Sequence, residues 1–236
     1  MHTHARTVPR PLTGISSMAT RQLLHELTAA YAQQHGQAVS IESVGGVDAA
    51  RRVEAGEAFD LVILASDAIA KLVAAGHLRA DSVTDLVQSG VAVAVRAGSP
   101  KPDISSEDAV HQAVLAAPTL SYSTGPSGVA LAQLFERWGI AGQIKSRIVT
   151  APPGVPVGSL VAKGEVALGF QQLSELIHVA GITIVGPLPT AIQITTTFTA
   201  AMTTGCTRPA EVQALLAYMA SPEAAESKRS QGMEPA

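Results

Sequence analysis

Three turns in the sequence combine hydroxyl side chains or glycines with an amphipathic segment that follows at once. Their residues are Ser16 and Ser17 in GISSMATR, Gly45 and Gly46 in SVGGVDAARR, and Ser123, Thr124, Ser127 and Gly128 in YSTGPSGVAL. Hydroxyl groups and the unpaired N–H groups of a helix N-terminus both donate hydrogen bonds to anions. The turns therefore predict a site for a small anion, with ordinary helix capping by the hydroxyls as the competing interpretation.

A fourth polar segment lies later in the chain. In APPGVPVGSLVAKGEVALGFQQLSE, the apolar run VALGF is followed directly by Gln171 and Gln172. Amides at the carboxyl end of a strand commonly face the ligand edge of an α/β sheet. Hydrogen bonding of these amides to loop backbone is an equally good interpretation.

Common catalytic and metal-binding motifs are absent from the sequence. It contains no GxSxG, no HExxH and no phosphate-binding loop with its lysine, and its histidines do not cluster. Metal ligation is therefore not expected. Cys206 is the single cysteine, which excludes an internal disulfide.

Alternating apolar and amphipathic segments position the turns. The first ninety residues predict a βαβαβα unit with helices over residues 17–35, 47–54 and 67–75, and Gly36 and Gly76 fit two helix ends. Apolar strands joined by helices indicate a parallel sheet whose strands end on one edge. The first two turns thus share the edge where α/β sheets bind ligands.

A second α/β unit is predicted after GVAVAVRAGSPKP, where the chain crosses to another domain. Its helices cover residues 105–117, 129–138 and 158–164, and its strands are TLSYS, RIVTA and VALGF. The β-branched run QITTTFTAAMTTG and two helices, over residues 209–219 and 222–231, close the chain.

Composition limits the classes of function. The chain has 236 residues, of which 47% are hydrophobic, 15% charged and 3% aromatic, and its net charge is −3. These values indicate a globular protein, and its few aromatic and scattered basic residues argue against nucleic-acid binding and membrane insertion. No signal-peptide core separates MHTHARTVPR from the first strand, which predicts a cytoplasmic location, or a periplasmic one if a signal peptide was removed.

The ordered set of turns resembles a known family. GISSMATR, VGGVDAARRVEAGEAFDLVILASD, YSTGPSGV and PVGSLVAKGEVALGFQQLSEL are together similar to the molybdate-binding proteins among ABC-transporter solute receptors, and more closely to their aconitate isomerase-like members. The resemblance implies an α/β, two-lobed type II periplasmic-binding-protein fold with mixed, mainly parallel sheets and two crossing strands, GVAVAVRA and ITTTFTAAM. One lobe is expected from residues 1–93 and 196–236, the other from residues 94–195, with the ligand cleft between them.

The resemblance also implies a set of ligand contacts. In receptors of this family, serine hydroxyls and backbone N–H groups at two turns of each lobe hold the ligand oxygens. The resemblance implies that the corresponding residues of this sequence are Ser16 and Ser17, Gly46 and Val47, Ser127 with its neighbours, and Val157. The receptors' tyrosine after the last strand of the second lobe corresponds to Gln172, which argues against molybdate itself.

The missing export signal favours an enzyme over a receptor. The resemblance then implies interconversion of trans- and cis-aconitate by an allylic proton shift that requires no cofactor. A base for this step must lie within about 3 Å of the proton. Glu42 and Asp67, at or just beyond strand ends, are the candidate bases, Tyr122 is a candidate proton donor, and Arg21 a candidate partner of a substrate carboxylate. Capping or solvent exposure is the commoner role of such residues.

Two other functions stay open at this point. A solute-binding protein would hold an oxyanion such as molybdate, or a small organic acid, without turnover, and an ABC permease would be its partner. The ligand domain of a one-component regulator is the other alternative, but the chain lacks a DNA-binding helix-turn-helix.

Overall fold

Strands and helices alternate along the chain in a computed structural model that describes residues 10–152 and 154–236. The strands are β1 (Leu12–Ser17), β2 (Val39–Val44), β3 (Leu61–Ala65), β4 (Thr84–Arg96), β5 (Leu120–Tyr122), β6 (Leu168–Gln172), β7 (Ile182–Pro187), β8 (Thr195–Met202) and β9 (Glu234–Pro235). The helices are α1 (Arg21–His35), α2 (Gly46–Glu54), α3 (Ser66–Ala74), α4 (Glu107–Ala116), α5 (Pro126–Arg137), α6 (Ala141–Ile144), α7 (Val157–Lys163), α8 (Leu173–Leu176), α9 (Pro209–Ala220) and α10 (Ala225–Ser230). The predicted βαβαβα start is confirmed.

Two parts of the sequence prediction were wrong in detail. The segment RIVTA forms no strand, and Ile148 makes only an isolated bridge to Leu120. Pro152, which has no N–H to donate, follows this segment and is unsuited to extending a strand ladder. Strand β7 and the four-residue helix α8 were not predicted.

The strands form one hydrogen-bonded path in the order β2-β1-β3-β8-β4-β6-β5, with β7 and β9 also paired to β4. Strand β1 is parallel to β2 and β3, and β5 is parallel to β6. Strand β8 runs antiparallel to β3 and to β4. The β1, β2 and β3 strands therefore end on a common edge, as the sequence predicted.

Strands β4 and β8 are the two crossing strands. The first part of β4, from Thr84 to Gly90, pairs with β8. From Val91 onward it pairs with β6 and β7 of the second half of the fold. The change of partners after Gly90 lies close to the limit proposed between residues 93 and 94, and the lobe limits stay a prediction.

Each side of the crossing has its own hydrophobic core. The first core packs Leu12 and Leu61 of the sheet against α1 and α9, which contributes Leu215. Helix α9 begins far along the chain and returns to this side, as expected. The second core surrounds Leu120 and Phe170. Two cores joined by two strands leave a space between them, where the turns of both sides meet.

No helix in the described part of the chain is long and apolar enough to cross a lipid bilayer.

Candidate functional site

A cleft of about 1110 Å³ lies between the two cores and is lined by the turns that the sequence singled out. On the first side it is bordered by the residues that follow β1, β2 and β3. On the second side it is bordered by the starts of α5, α7 and α8. The residues directly before these helices or at the ends of these strands are Ser17, Gly45, Ala65, Gly125, Pro156 and Gln172.

Backbone N–H groups at the starts of α2 and α3 are available to a ligand. Neither helix receives a side-chain hydrogen bond at its N-cap, which is Gly45 for α2 and Ala65 for α3. The first N–H groups of a helix have no partner within the helix, and its dipole places partial positive charge there. Gly46 and Val47 place the start of α2 at the cleft. The N-terminal ends of these two helices therefore favour an anion in the cleft.

Hydroxyl groups line the cleft from both sides. Ser17 caps the short 3₁₀ turn before α1 through a long bond of 3.4 Å from the N–H of Ala19 to its Oγ. On the other side, the Oγ atoms of Ser123 and Ser127 lie 3.0 Å apart, and Thr124 is exposed beside them. All four hydroxyls border the same space, so the predicted set of serines and threonine is brought together except for Ser16.

Gly128 serves the shape of this turn and does not line the cleft. A Cβ atom built on Gly128 would lie 1.6 Å from the carbonyl oxygen of Ser123, closer than any side chain allows. The glycine therefore lets the start of α5 pack against the turn that carries Ser123. Gly128 therefore has a structural role in the turn, and its contact with a ligand stays a prediction.

Two glutamines at the end of β6 face the cleft in different ways. Gln172 donates a hydrogen bond of 2.8 Å from Nε2 to Oγ1 of Thr196 on β8. Gln171 accepts a bond of 3.2 Å at Oε1 from the N–H of Gly158, in the first turn of α7. Both amides line the cleft, as does Val157.

Glu175 lies one turn beyond Gln171 and was not predicted. It lines the cleft in α8, and Nε2 of Gln171 donates a bond of 2.5 Å to its Oε2. Burial of the carboxylate raises the pKa of Glu175 to about 7, although the bond from Gln171 lowers it in part. A carboxyl group with this pKa exchanges protons readily near neutral pH.

Two predicted first-lobe residues lie away from the cleft. The side chain of Ser16 is fully buried and its Oγ lies 2.8 Å from Oγ of Ser43, its partner in the β1–β2 register. Successive side chains of a strand point to opposite faces, so Ser16 and Ser17 cannot both face the ligand. Arg21 lines a separate hollow of about 430 Å³ with His25 and Ser40.

Two of the predicted proton-transfer residues also lie elsewhere. Glu42 is exposed and accepts hydrogen bonds of 2.7 and 2.9 Å from the guanidinium of Arg52, which also lowers its pKa. Tyr122 packs edge-on against Phe135 in the second core, and burial raises the pKa of its hydroxyl. Neither residue lines the cleft, so the structure does not bring them together with the other predicted site residues.

The charged residues of the cleft are mixed in sign. Asp67 lines it in the first turn of α3 and is exposed. Asp48 pairs with Arg51. Lys71, one turn after Asp67, also lines the cleft and has no ion pair within the described residues. Lys71 is thus a cation that an anionic ligand can approach.

Sequence reasoning missed Glu175, Thr196 and Lys71. Glu175 carried the same signal as Asp67, a carboxylate in the first turn after an apolar strand. Lys71 follows Asp67 by one helical turn, which places it on the same helix face. Thr196 carried no such signal, because it lies within a run of threonines.

The fold and cleft define a two-lobed binding protein with an anion-accepting site, and comparison with known proteins agrees. Residues 12–234 match the family described as bacterial extracellular solute-binding protein. The chain belongs to this family.

A curated relative is more similar in sequence to this chain than the solved structures described below. The chain is 40% identical over 232 residues to an aconitate isomerase from Pseudomonas sp., covering 95% of this chain and 87% of that protein.

Solved structures share the fold at low sequence identity. The periplasmic molybdate-binding protein of Azotobacter vinelandii is 22% identical with a TM-score of 0.78, over 94% of this chain and 98% of that one. The sulfate-binding protein of Mycobacterium tuberculosis is 18% identical, also with a TM-score of 0.78, over 96% and 87% of the two chains. The predicted two-lobed fold and family are confirmed, and the role of each cleft residue stays a prediction.

Proposed function

We propose that this protein is an isomerase that interconverts trans- and cis-aconitate in the cleft. The observation that carries the proposal is the 40% identity to an aconitate isomerase over nearly the whole chain. The match extends over 95% of this chain, so both sides of the cleft fall within it. The receptors of known structure, by contrast, support the fold alone.

The cleft suits a substrate with three carboxylates. Each carboxylate accepts two or more hydrogen bonds, and donors stand on both walls at the start of α2, at Ser17 and at Ser127. Lys71 adds positive charge on the first side. A tricarboxylate can therefore engage both lobes at once, which a compact oxyanion does only when the lobes lie close.

The reaction moves one proton between two carbons of the substrate. A base removes a proton from the methylene carbon, the double bond shifts, and the proton is returned at the former vinyl carbon. Negative charge spreads into the substrate carboxylates during the step. Fixed N–H and hydroxyl donors aimed at those carboxylates stabilise the transition state, where this charge develops, more than they stabilise the ground state. Sites of this kind accelerate reactions in this way.

Binding without turnover is the second candidate function. The family description, a solute-binding protein, favours it. In that case the ligand would be an oxyanion or a small organic acid, and the partner would be an ABC permease. The carboxyl group of Glu175 on the cleft wall favours chemistry, because carboxyl groups with raised pKa values are concentrated in catalytic sites.

Incubation of the purified protein with trans-aconitate in deuterated water separates these functions. We expect ¹H NMR to show cis-aconitate accumulating, with deuterium entering the carbon that receives the proton. Neither isomerisation nor deuterium uptake, together with tight binding of molybdate or another anion by calorimetry, would leave the receptor as the function.

A further inference from the structure

The carboxylate of Glu175 is held in a fixed position by a relay of two hydrogen bonds. The N–H of Gly158 can only donate, so its bond at 3.2 Å fixes Oε1 of Gln171 as the acceptor. The amide nitrogen of Gln171 is thereby turned to the other side, where it donates to Oε2 of Glu175 at 2.5 Å. The main chain of α7 thus sets the orientation of a carboxylate in α8.

Glu175 differs from the other carboxylates of the cleft wall. Asp48 is paired with Arg51, and both Glu54 and Asp67 are exposed. Glu175 is partly buried and forms no ion pair within the described residues. A carboxylate without a cation beside it is a stronger base than a paired one.

The polar groups around Glu175 leave one of its oxygens without a hydrogen bond within the described residues. Gln171 contacts Oε2, and no hydrogen bond to Oε1 is formed within the described residues. The same wall carries Gln172 and Thr196, and the hydroxyls of Ser123 and Ser127 lie on the same side of the cleft. A substrate held by these donors lies against a carboxylate with a free oxygen.

We propose that Glu175 is the catalytic base of the isomerisation and that Gln171 is its positioning residue, an assignment that rests on the proposed function. The Glu175 carboxylate removes a proton from the methylene carbon of aconitate. The electron pair of that C–H bond forms the new double bond to the central carbon, and the electrons of the old double bond move to the far carbon. The Glu175 carboxyl group then returns the proton to that carbon.

A single residue completes the cycle. Glu175 takes one proton and gives one proton back, so the enzyme ends in its starting state, and neither oxidant nor reductant takes part. A carboxyl group that exchanges its proton with water before returning it would label the product with deuterium. The extent of labelling then reports how well the closed cleft excludes solvent.

Replacement of Glu175 is the direct test. We expect Glu175→Gln to lower kcat for trans-aconitate by about 100-fold or more, the usual contribution of a general base. Calorimetric affinity for trans-aconitate should stay within a few-fold of wild type, because glutamine keeps the size of the side chain. Glu165→Gln, which changes an exposed carboxylate outside the cleft, is the matched control and should leave kcat unchanged.

The pH profile tests the positioning role of Gln171. The wild-type kcat/KM should rise with pH through a limb near pH 7, because the base must be deprotonated and its pKa is about 7. In Gln171→Met the bond that favours the ionised carboxylate is lost, so this limb should move to higher pH. A purely structural role would lower thermal stability and leave the limb in place.

The outcomes distinguish the two levels of the proposal. Wild-type turnover together with near-normal turnover of Glu175→Gln overturns the assignment of Glu175 and leaves the isomerase function standing. A wild-type protein that neither isomerises nor exchanges deuterium overturns both. If Glu175→Gln fails to fold by circular dichroism, the shift of the Gln171→Met limb decides, and an unmoved limb refutes the proposal.

Discussion

Gln172 on β6 and Thr196 on β8 are joined by a hydrogen bond of 2.8 Å, so a strand of the second lobe is tied to a crossing strand at the cleft wall. Thr196 Oγ1 accepts this bond, which leaves its own hydrogen free to donate to a ligand. Gln172 is almost fully buried, and within the described residues its Oε1 has no hydrogen-bond partner. The pair therefore supports the cleft wall and keeps a hydroxyl hydrogen that is not used in this bond.

Removal of the Thr196 hydroxyl should weaken substrate binding. Thr196→Val keeps the shape of the side chain but deprives Gln172 of its acceptor and the ligand of a donor. We expect a loss of affinity for trans-aconitate of about five- to tenfold, equivalent to about 1 kcal/mol, by calorimetry. Thr197→Val, on the opposite face of the same strand, is the control, and equal losses in both variants would contradict the role of Thr196.

The contrast between Ser16 and Ser17 tests the side of β1 that faces the ligand. Ser17→Ala, and separately Ser127→Ala, should each weaken binding of trans-aconitate by about 1–3 kcal/mol if the hydroxyls meet the substrate. Ser16→Ala removes a buried bond to Ser43 and should lower the free energy of unfolding instead. Calorimetry and urea denaturation measure the two effects, and a Ser16 variant with the larger loss of affinity would reverse the assignment.

Gly128 should not tolerate a side chain. Gly128→Ala places a Cβ against the carbonyl of Ser123, so the turn must shift, and we expect destabilisation of about 2 kcal/mol or more. A Cβ on Gly125, three residues earlier, meets no atom within 4 Å. Gly125→Ala should therefore retain the wild-type melting temperature, and comparable melting temperatures for both variants would show that the turn adapts.

Glu175 should make stability depend on pH. Its pKa rises from an ordinary value of 4.5 to about 7 on folding, so the native state holds this proton more tightly than the unfolded chain. The contribution to stability is then present at acid pH and is lost as pH rises to about 7. Glu175→Gln should accordingly stabilise the protein by about 2–3 kcal/mol at pH 8.5 and by much less at pH 5.

Urea denaturation at both pH values measures this difference. Glu165→Gln is again the matched control and should have little effect at either pH. If the difference in free energy of unfolding between Glu175→Gln and wild type is the same at both pH values, the carboxyl group has an ordinary pKa in the native state.

The order of elements could be predicted because the first lobe repeats one pattern. Apolar strands such as LVILA are fully buried, and the amphipathic segments between them form helices. The first of these helices, α1, ends at Gly36, which adopts a positive φ of 69°. The segment RIVTA was wrongly predicted as a strand because its apolar residues are partly buried without strand pairing. Ile148 packs against the second core, and Val149 and Ala151 pack against residues of α7. Strand β7 escaped prediction because GITIVGP is short and flanked by glycine and proline.

The candidate site was predicted in its backbone and not in its acid-base chemistry. Turns that begin helices are visible in sequence, since glycine and serine mark them. The direction of a side chain depends on strand alternation and on neighbours such as Arg52, which holds Glu42 at the surface. Glu175 acquires its properties from Gln171 and from burial, and tertiary contacts of this kind leave no local pattern.

Strand β4 supplies one last consequence. Gln171 and Gln172 pair with Ala92 and Val91, which precede the proposed start of the second lobe at residue 94. A lobe exchanged with a relative at that limit would separate the glutamines from the part of β4 with which they pair, so the two halves of this pairing would come from different proteins. Recombination between relatives can therefore exchange the loops of this protein with less disturbance than it can exchange whole lobes.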